Sequence, residues 1–379
     1  METTPVAPPP RPSWKRRLPG AVDPYVMALL GTVGLAVLLP ATGRGATLAE
    51  GTADVAIALL FFLYGARLST REVVDGLRQW KLHLTVGAST FVLFPLLGLA
   101  AGFLVPHLLT ERLYIGLLFL CVVPSTIQSS ITLTSTARGN VPAAVCAGTY
   151  SSLFGMIATP LLAAWLVGSD VGFSHHGLLS IGSQLLLPFV AGQLVRRWIG
   201  AFIGRHKKSL GLLDRGVILL VVYTAFSRGM AQGIWHQVTP GRLIALSCLT
   251  GLLLAVALAT TSFAARRLGF SREDRVTVVF CGSNKSLATG LPMAAVLFGG
   301  SAGLVILPLM LYHQLQLAVC SVIANRWSRV SEPSDGTDTA TATATAADIG
   351  TAAATGVPAP ARHVGPTESL ERGAPPTGA

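Results

Sequence analysis

Charge is what this sequence has little of: Asp, Glu, Lys and Arg make up 12% of its 379 residues. A soluble domain carries about twice that fraction. Period-2 alternation is missing as well, and so is a narrow amphipathic stripe, which leaves neither strands nor surface helices as the natural reading. The five cysteines, Cys121, Cys146, Cys248, Cys281 and Cys320, all fall inside apolar segments without paired spacing, excluding a disulfide framework and a zinc site. Within those segments no carboxylate pair, metal cluster or activated nucleophile appears, so the chain is not read as an enzyme. The net charge of +11 does not indicate a nucleic-acid partner, because Lys and Arg sit in the gaps between apolar runs rather than on one face.

What is present is a 51% hydrophobic chain whose apolar residues are bunched into lengths that match the hydrocarbon core of a bilayer. The runs place ten spans, the first five at 25–40, 48–66, 83–105, 112–137 and 141–168. The other five follow at 177–196, 212–230, 242–265, 273–298 and 302–326. Pro40, Pro106, Pro142 and Pro240, with neighbouring Gly and charged residues, mark breaks between them. Basic residues crowd alternate connections, notably Lys15 to Arg17, Arg67 to Lys81, Arg196 to Lys208 and Arg266 to Arg275. That asymmetry expects both termini in the cytoplasm of a multi-pass plasma-membrane protein. The first run is read as a span rather than a cleaved signal, since a long Pro-rich segment precedes it. Three domains follow: a disordered N-terminus (1–20), a transmembrane domain (21–330) and a disordered Ala/Thr/Pro-rich tail (331–379).

The transmembrane domain repeats. Spans 3, 4 and 5 recur as spans 8, 9 and 10 at an offset of about 160 residues, giving halves of about 21–170 and 171–330. Each half holds an odd number of spans, so the second enters the membrane from the opposite side, as in many secondary transporters. At matched places both halves interrupt an apolar helix. Span 4 reads CVVPSTIQSS from Cys121, and span 9 reads FCGSNKSLATGLP from Phe280. Unwound backbone in hydrocarbon frees amides and carbonyls that water cannot satisfy, so these breaks locate the binding site. Candidate residues are Gln128, Ser129 and Ser130 in span 4 and Ser283, Asn284, Lys285 and Ser286 in span 9. Thr149 of span 5 and His313 and Gln314 of span 10, with Tyr312 and Gln316 beside them, join the set. Lys285 carries the most information, because an unpaired ammonium near the bilayer centre costs roughly 2.5–3.5 kcal/mol on insertion scales. Glu50 and Asp54 read as interfacial carboxylates.

FFLYGARLS at 61–69, QWKLHL at 79–84, the span 4 motif with its Arg-Gly-Asn ending and FCGSNKSLATGLPM at 280–293 resemble the bile acid:sodium symporter family. The likeness is to its divergent ten-helix branch of bacterial and outlying vertebrate members, and it covers about residues 21–330. It implies a panel domain of spans 1, 2, 6 and 7 beside a core domain of the rest, with broken spans 4 and 9 crossing next to the substrate. It also implies a sodium ion held near Ser129, Ser130 and Thr149. The acidic span 9 residue of the typical motif is replaced here by the neighbourhood of Phe280, Cys281 and Gly282, and Lys285 stands in the usual Gln-Asn pair. A fixed ammonium there repels sodium, which leaves sodium and protons both open as the coupling ion.

The expected function is therefore a secondary active transporter that moves an organic anion or similar small solute by alternating access. No cofactor is expected apart from that sodium ion, and the expected partners are the solute and the lipid bilayer. The second reading is a membrane regulatory or scaffold protein that keeps the transporter fold without transport.

Overall fold

In hydrocarbon a helix is the one open-ended element that satisfies its own backbone, so the long apolar runs form helices. The computed structural model describes residues 24–67, 79–105, 107–167, 175–231, 233 and 239–329. The segments expected to be disordered, 1–20 and 331–379, lie outside the described residues.

Every regular element among the described residues is helical. The first is α1 (Pro24–Leu38), followed by α2 (Gly43–Arg67). A continuous run over 80–104 then passes from α3 (Trp80–Ala88) through a π-helical turn (Ser89–Leu93) to α4 (Phe94–Ala100) and a 3₁₀ end. Next come α5 (Glu111–Val122), α6 (Gln128–Thr136), α7 (Val141–Val167), α8 (His175–Arg205) and α9 (Lys207–Ala231). The last are α10 (Pro240–Arg267), α11 (Arg272–Ser283), α12 (Leu287–Phe298) and α13 (Ala302–Arg329). Among the described residues, six helices are long and apolar enough to cross a membrane: 43–67, 80–104, 141–167, 208–231, 240–267 and 302–329. The chain is a multi-pass α-helical membrane protein.

Two local frames repeat. α5 and α11 are each 12 residues long. Each starts under a hydroxyl N-cap, Thr110 or Ser271, with acidic residues in the first turn where they meet the positive end of the helix dipole. Both then stop in extended backbone, at Val123 and Asn284. The long helices α7 and α13, of 27 and 28 residues, follow the second member of each pair.

α1, α2, α8 and α9 pack on one another, with α2 lying along α8. Their approach is backbone to backbone: a Cβ at Gly65 would strike the Phe189 carbonyl, and one at Gly192 the Phe62 carbonyl. Small residues permit this closeness, and van der Waals packing at close range is what holds membrane helices together. Two ion pairs join α2 to α9 at opposite ends. Arg67 reaches Asp214 at 2.5 Å, and Arg228 Nε donates to Glu50 Oε1 at 2.7 Å. Glu50 is thus paired, while Asp54 is exposed.

The connection expected between spans 6 and 7 is a difference. Rather than a loop over 196–212, α8 continues to Arg205 and α9 begins at Lys207. Lys and Arg are good helix formers, and their stems lie along apolar surface while the charged heads reach water. Arg197 does so over the ring of Trp198, 4.0 Å from its centroid.

Replacing Gly65 or Gly192 by Val is expected to pry α2 from α8 and to cost about 1–3 kcal/mol or more, the range of overpacked cores. Gly31→Ala, with open space around it, is the control. Thermal melts and size-exclusion profiles of the purified protein should separate the two; equal melting temperatures for Gly192→Val and wild type would refute the contact.

Candidate functional site

Both interruptions fall where the sequence places them. α5 stops as Val123 turns extended, and Pro124, which has no N–H, cannot continue it. α11 stops at Ser283, Asn284 is extended, and Ser286 caps α12 by accepting from the Thr289 amide at 3.2 Å. The two breaks touch: the Ser286 amide donates to the Pro124 carbonyl at 2.9 Å.

Helix ends leave orphan carbonyls, and buried ones need donors. At the end of α11 the donors are side chains of neighbouring helices. Ser125 Oγ donates to the Cys281 carbonyl at 2.6 Å and Ser89 Oγ to Gly282 at 2.7 Å. The Tyr312 hydroxyl donates to Ser283 at 2.6 Å. Gln316 clamps the Lys285 peptide from both sides: its Oε1 accepts from the Lys285 amide at 2.7 Å, and its Nε2 donates to the Lys285 carbonyl at 2.9 Å. At the end of α5, Thr159 Oγ1 donates to the Val122 carbonyl at 2.8 Å, and the Ser125 amide donates to Ser151 Oγ at 2.8 Å.

Two further carbonyls at the end of α5 are met by the ammonium of Lys285. This side chain is fully buried. Its Nζ donates to the carbonyls of Cys121 at 2.9 Å, Val123 at 2.9 Å and Thr90 at 3.0 Å. The Phe94 ring lies 4.1 Å from it, its face toward the cation. Two of the carbonyls belong to the negative end of the α5 dipole, where a positive charge is stabilised. The third is released by the π-helical turn. There the Phe94 amide bonds back to the Ser89 carbonyl. In the same five-residue pattern Thr90 would be served by residue 95, which is proline and has no N–H. One missing hydrogen in α4 thus leaves a carbonyl for a lysine nearly 200 positions later.

The structure gathers some expected residues and not others. Ser130, Ser283, Asn284, Lys285, Ser286 and His313 surround the meeting point. Asn284 Nδ2 donates to Ser130 Oγ at 3.4 Å, and Ser283 Oγ to the Val279 carbonyl at 2.6 Å. His313 Nδ1 lies 2.8 Å from Gln316 Nε2 and 3.4 Å from the Lys285 carbonyl. Gln128, at the start of α6, is exposed. Ser129 Oγ and Gln314 Nε2 are buried without a hydrogen-bond partner, and Thr289 Oγ1 joins them. Thr149 is turned to its own helix, donating to the Val145 carbonyl at 2.8 Å. Ser89, Thr90, Phe94 and Pro95 were missed by sequence reasoning. A Ser-Thr pair a turn before proline inside an apolar run is the signal that could have found them.

Of the three hydroxyls that the resemblance offers for sodium, Thr149 donates to the Val145 carbonyl, Ser130 donates to the Phe280 carbonyl at 3.5 Å and Ser129 has no hydrogen-bond partner, so each oxygen keeps lone pairs, while the cation present at the breaks is the Lys285 ammonium. Among the described residues no cluster of three or more His, Cys, Asp or Glu side chains could hold a metal ion.

Comparison with known proteins places the chain among transporters. Residues 23–329 match the model of the SBF-like CPA transporter family. An uncharacterized protein of Pseudomonas aeruginosa is 53% identical over 311 residues, covering 81% of this chain and 93% of that protein. YfeH of Escherichia coli, named as a symporter, is 46% identical over 313 residues, 82% of this chain and 94% of its own. Sodium/bile acid cotransporter 7 of Rattus norvegicus is 31% identical over 310 residues, 79% and 90% of the two chains.

Lys285→Met should strand three carbonyls at about 1–3 kcal/mol each, whereas Lys285→Gln, which keeps two N–H donors, should lose less. Melting temperatures of the purified variants test this order. A Lys285→Met protein as stable as wild type would show that the ammonium does not hold the two breaks together.

Proposed function

The chain belongs to the SBF-like CPA transporter family, and we propose that it is a ten-span secondary transporter that moves a small organic anion by alternating access, with Lys285 as its built-in cation. In this reading α5–α6 and α11–α12 are single interrupted spans. The matched lengths, caps and stops of their first halves, α5 and α11, support two inverted five-span repeats. α1, α2, α8 and α9 make up the panel, and the other helices are the core that moves against it. Both termini lie in the cytoplasm and the membrane is the plasma membrane, in keeping with the basic connections. Relatives named as symporters and cotransporters support transport over a regulatory or scaffold role and over an enzyme.

The single observation that carries the proposal is the three-carbonyl cradle of the Lys285 ammonium. Converging carbonyls are the chemistry of cation binding. Here the cation is tethered, so it cannot be exchanged across the membrane and can leave the cradle only by moving its side chain or losing a proton. Coupling to protons follows more naturally than coupling to a sodium ion at Ser129, Ser130 and Thr149. The anionic solute has separate ground. The start of α6 presents helix-terminal amides beside Gln128 and Ser129, and α6 packs against α13, which carries Gln314. Ser129 and Gln314 have polar atoms without partners, as residues awaiting a ligand would.

The test is a screen of carboxylate and sulfonate solutes for thermal stabilisation of the purified protein, at two pH values, in sodium and in N-methylglucamine chloride. A stabilising anion whose effect changes with pH and not with sodium is expected, and Gln128→Ala with Ser129→Ala should weaken it tenfold or more, about 1.4 kcal/mol. Stabilisation that requires sodium, or that survives both substitutions, would overturn the assignment. Uptake into proteoliposomes by Lys285→Gln with unaltered ion dependence would remove the lysine from coupling.

A further inference from the structure

A second polar and apolar conjunction lies away from the breaks, at the end of the bundle where α10 and α13 finish and α11 begins. Three helices flank an open crevice of about 360 Å³ there. Ala259 and Ser262 of α10, Val279 of α11, and Ile323, Arg326 and Trp327 of α13 are among the residues that line it. Apart from the serine hydroxyl and the arginine, these are apolar contacts. The walls are fixed: Trp327 stands 5.5 Å from the Phe280 ring, and Arg272 donates to the Trp327 carbonyl at 3.0 Å.

The rim is basic on every side. Arg266 follows Ser262 by four residues and so lies one turn further along the same face of α10. Arg275 precedes Val279 by four on α11, and Arg272 lies a turn beyond. Arg326 lines the crevice itself and is exposed, and Arg267 and Arg329 are the last residues of α10 and α13. The first turn of α11 also carries Glu273 and Asp274, and Asp274 is already bonded to Asn140 Nδ2 at 2.8 Å.

We propose that this crevice is a binding site for an anionic phospholipid of the surrounding bilayer. One acyl chain lies between α10 and α13, and the headgroup phosphate is held by Arg326 and Arg266. A soluble anion would have no use for the apolar walls, and a zwitterionic lipid would leave the rim's positive charge unmatched. A basic pocket between helices at the membrane surface selects for an anionic headgroup, and each arginine near the surface contributes about 1 kcal/mol, or about fivefold in affinity. The bound lipid bridges α10, α11 and α13 and braces the helix that leads into the Asn284–Ser286 break. This inference does not depend on the transport assignment.

The experiment is native mass spectrometry and thermal unfolding of the full chain after delipidation, titrated with phosphatidylglycerol or phosphatidylcholine of the same acyl chains. Retention of one phosphatidylglycerol, with a rise in melting temperature that phosphatidylcholine does not match, is expected. Arg326→Gln should weaken it about fivefold and the double variant with Arg266→Gln about 25-fold. Ser262→Phe, which fills the crevice and leaves the charge alone, should abolish the retained lipid. Lys208→Gln, a basic residue on α9, should change nothing. Equal effects of the two lipids, or an equal loss in Lys208→Gln, would reduce the effect to general surface charge and overturn the site, and so would tight retention in Ser262→Phe. If Arg326→Gln fails to fold, Ser262→Phe and Arg266→Gln alone decide.

Discussion

Three backbone carbonyls, from Thr90, Cys121 and Val123, face one ammonium in the interior of a bundle that offers them little else. A helix that stops inside hydrocarbon must pass its last carbonyls to some donor, and a lysine is an unusual choice because burying it is costly. The two costs offset each other when they meet. The ammonium has three N–H groups and the cradle has three oxygens, so each component makes the other tolerable. The two breaks meet at this point, where the Ser286 amide also donates to the Pro124 carbonyl.

The neighbouring helices are shaped by the same requirement. The π-helical turn at Ser89–Leu93 and the absent amide hydrogen of Pro95 deliver the third carbonyl, while Ser89 from the same turn serves Gly282. From α13, Gln316 and Tyr312 hold the peptides on either side of Asn284. Hydroxyls that are commonplace packing residues in membrane helices here act as donors to specific carbonyls. Other side-chain polar atoms, on Thr90, Ser129, Thr289 and the Gln314 amide, are buried without a hydrogen-bond partner.

Elsewhere the bundle is held by plainer means. α2 and α8 meet at glycines, and α2 is tied to α9 by an ion pair at each end, Glu50 with Arg228 and Arg67 with Asp214. Partly exposed pairs of this sort add little energy. Basic residues at the ends of α8, α10 and α13 continue the helices rather than interrupt them, which is why the connection between Arg205 and Lys207 is so short.

Residue chemistry alone determined the all-helical membrane class, the positions of the long helices and the two broken ones, because apolar length and the missing N–H of proline act within a few residues of themselves. Lys285 stood out for the same local reason: a charge in an apolar run needs an explanation wherever it lies. Its partners did not stand out. The carbonyls of Thr90 and Cys121 belong to a backbone that every residue shares, so no letter in the sequence marks them as acceptors, and Thr149 gave no sign that its hydroxyl would turn back on its own helix. Which carbonyl faces which donor is decided by the packing of helices far apart in the chain, and only the tertiary structure brings α4, α5, α11 and α13 close enough for one ammonium to answer three of them.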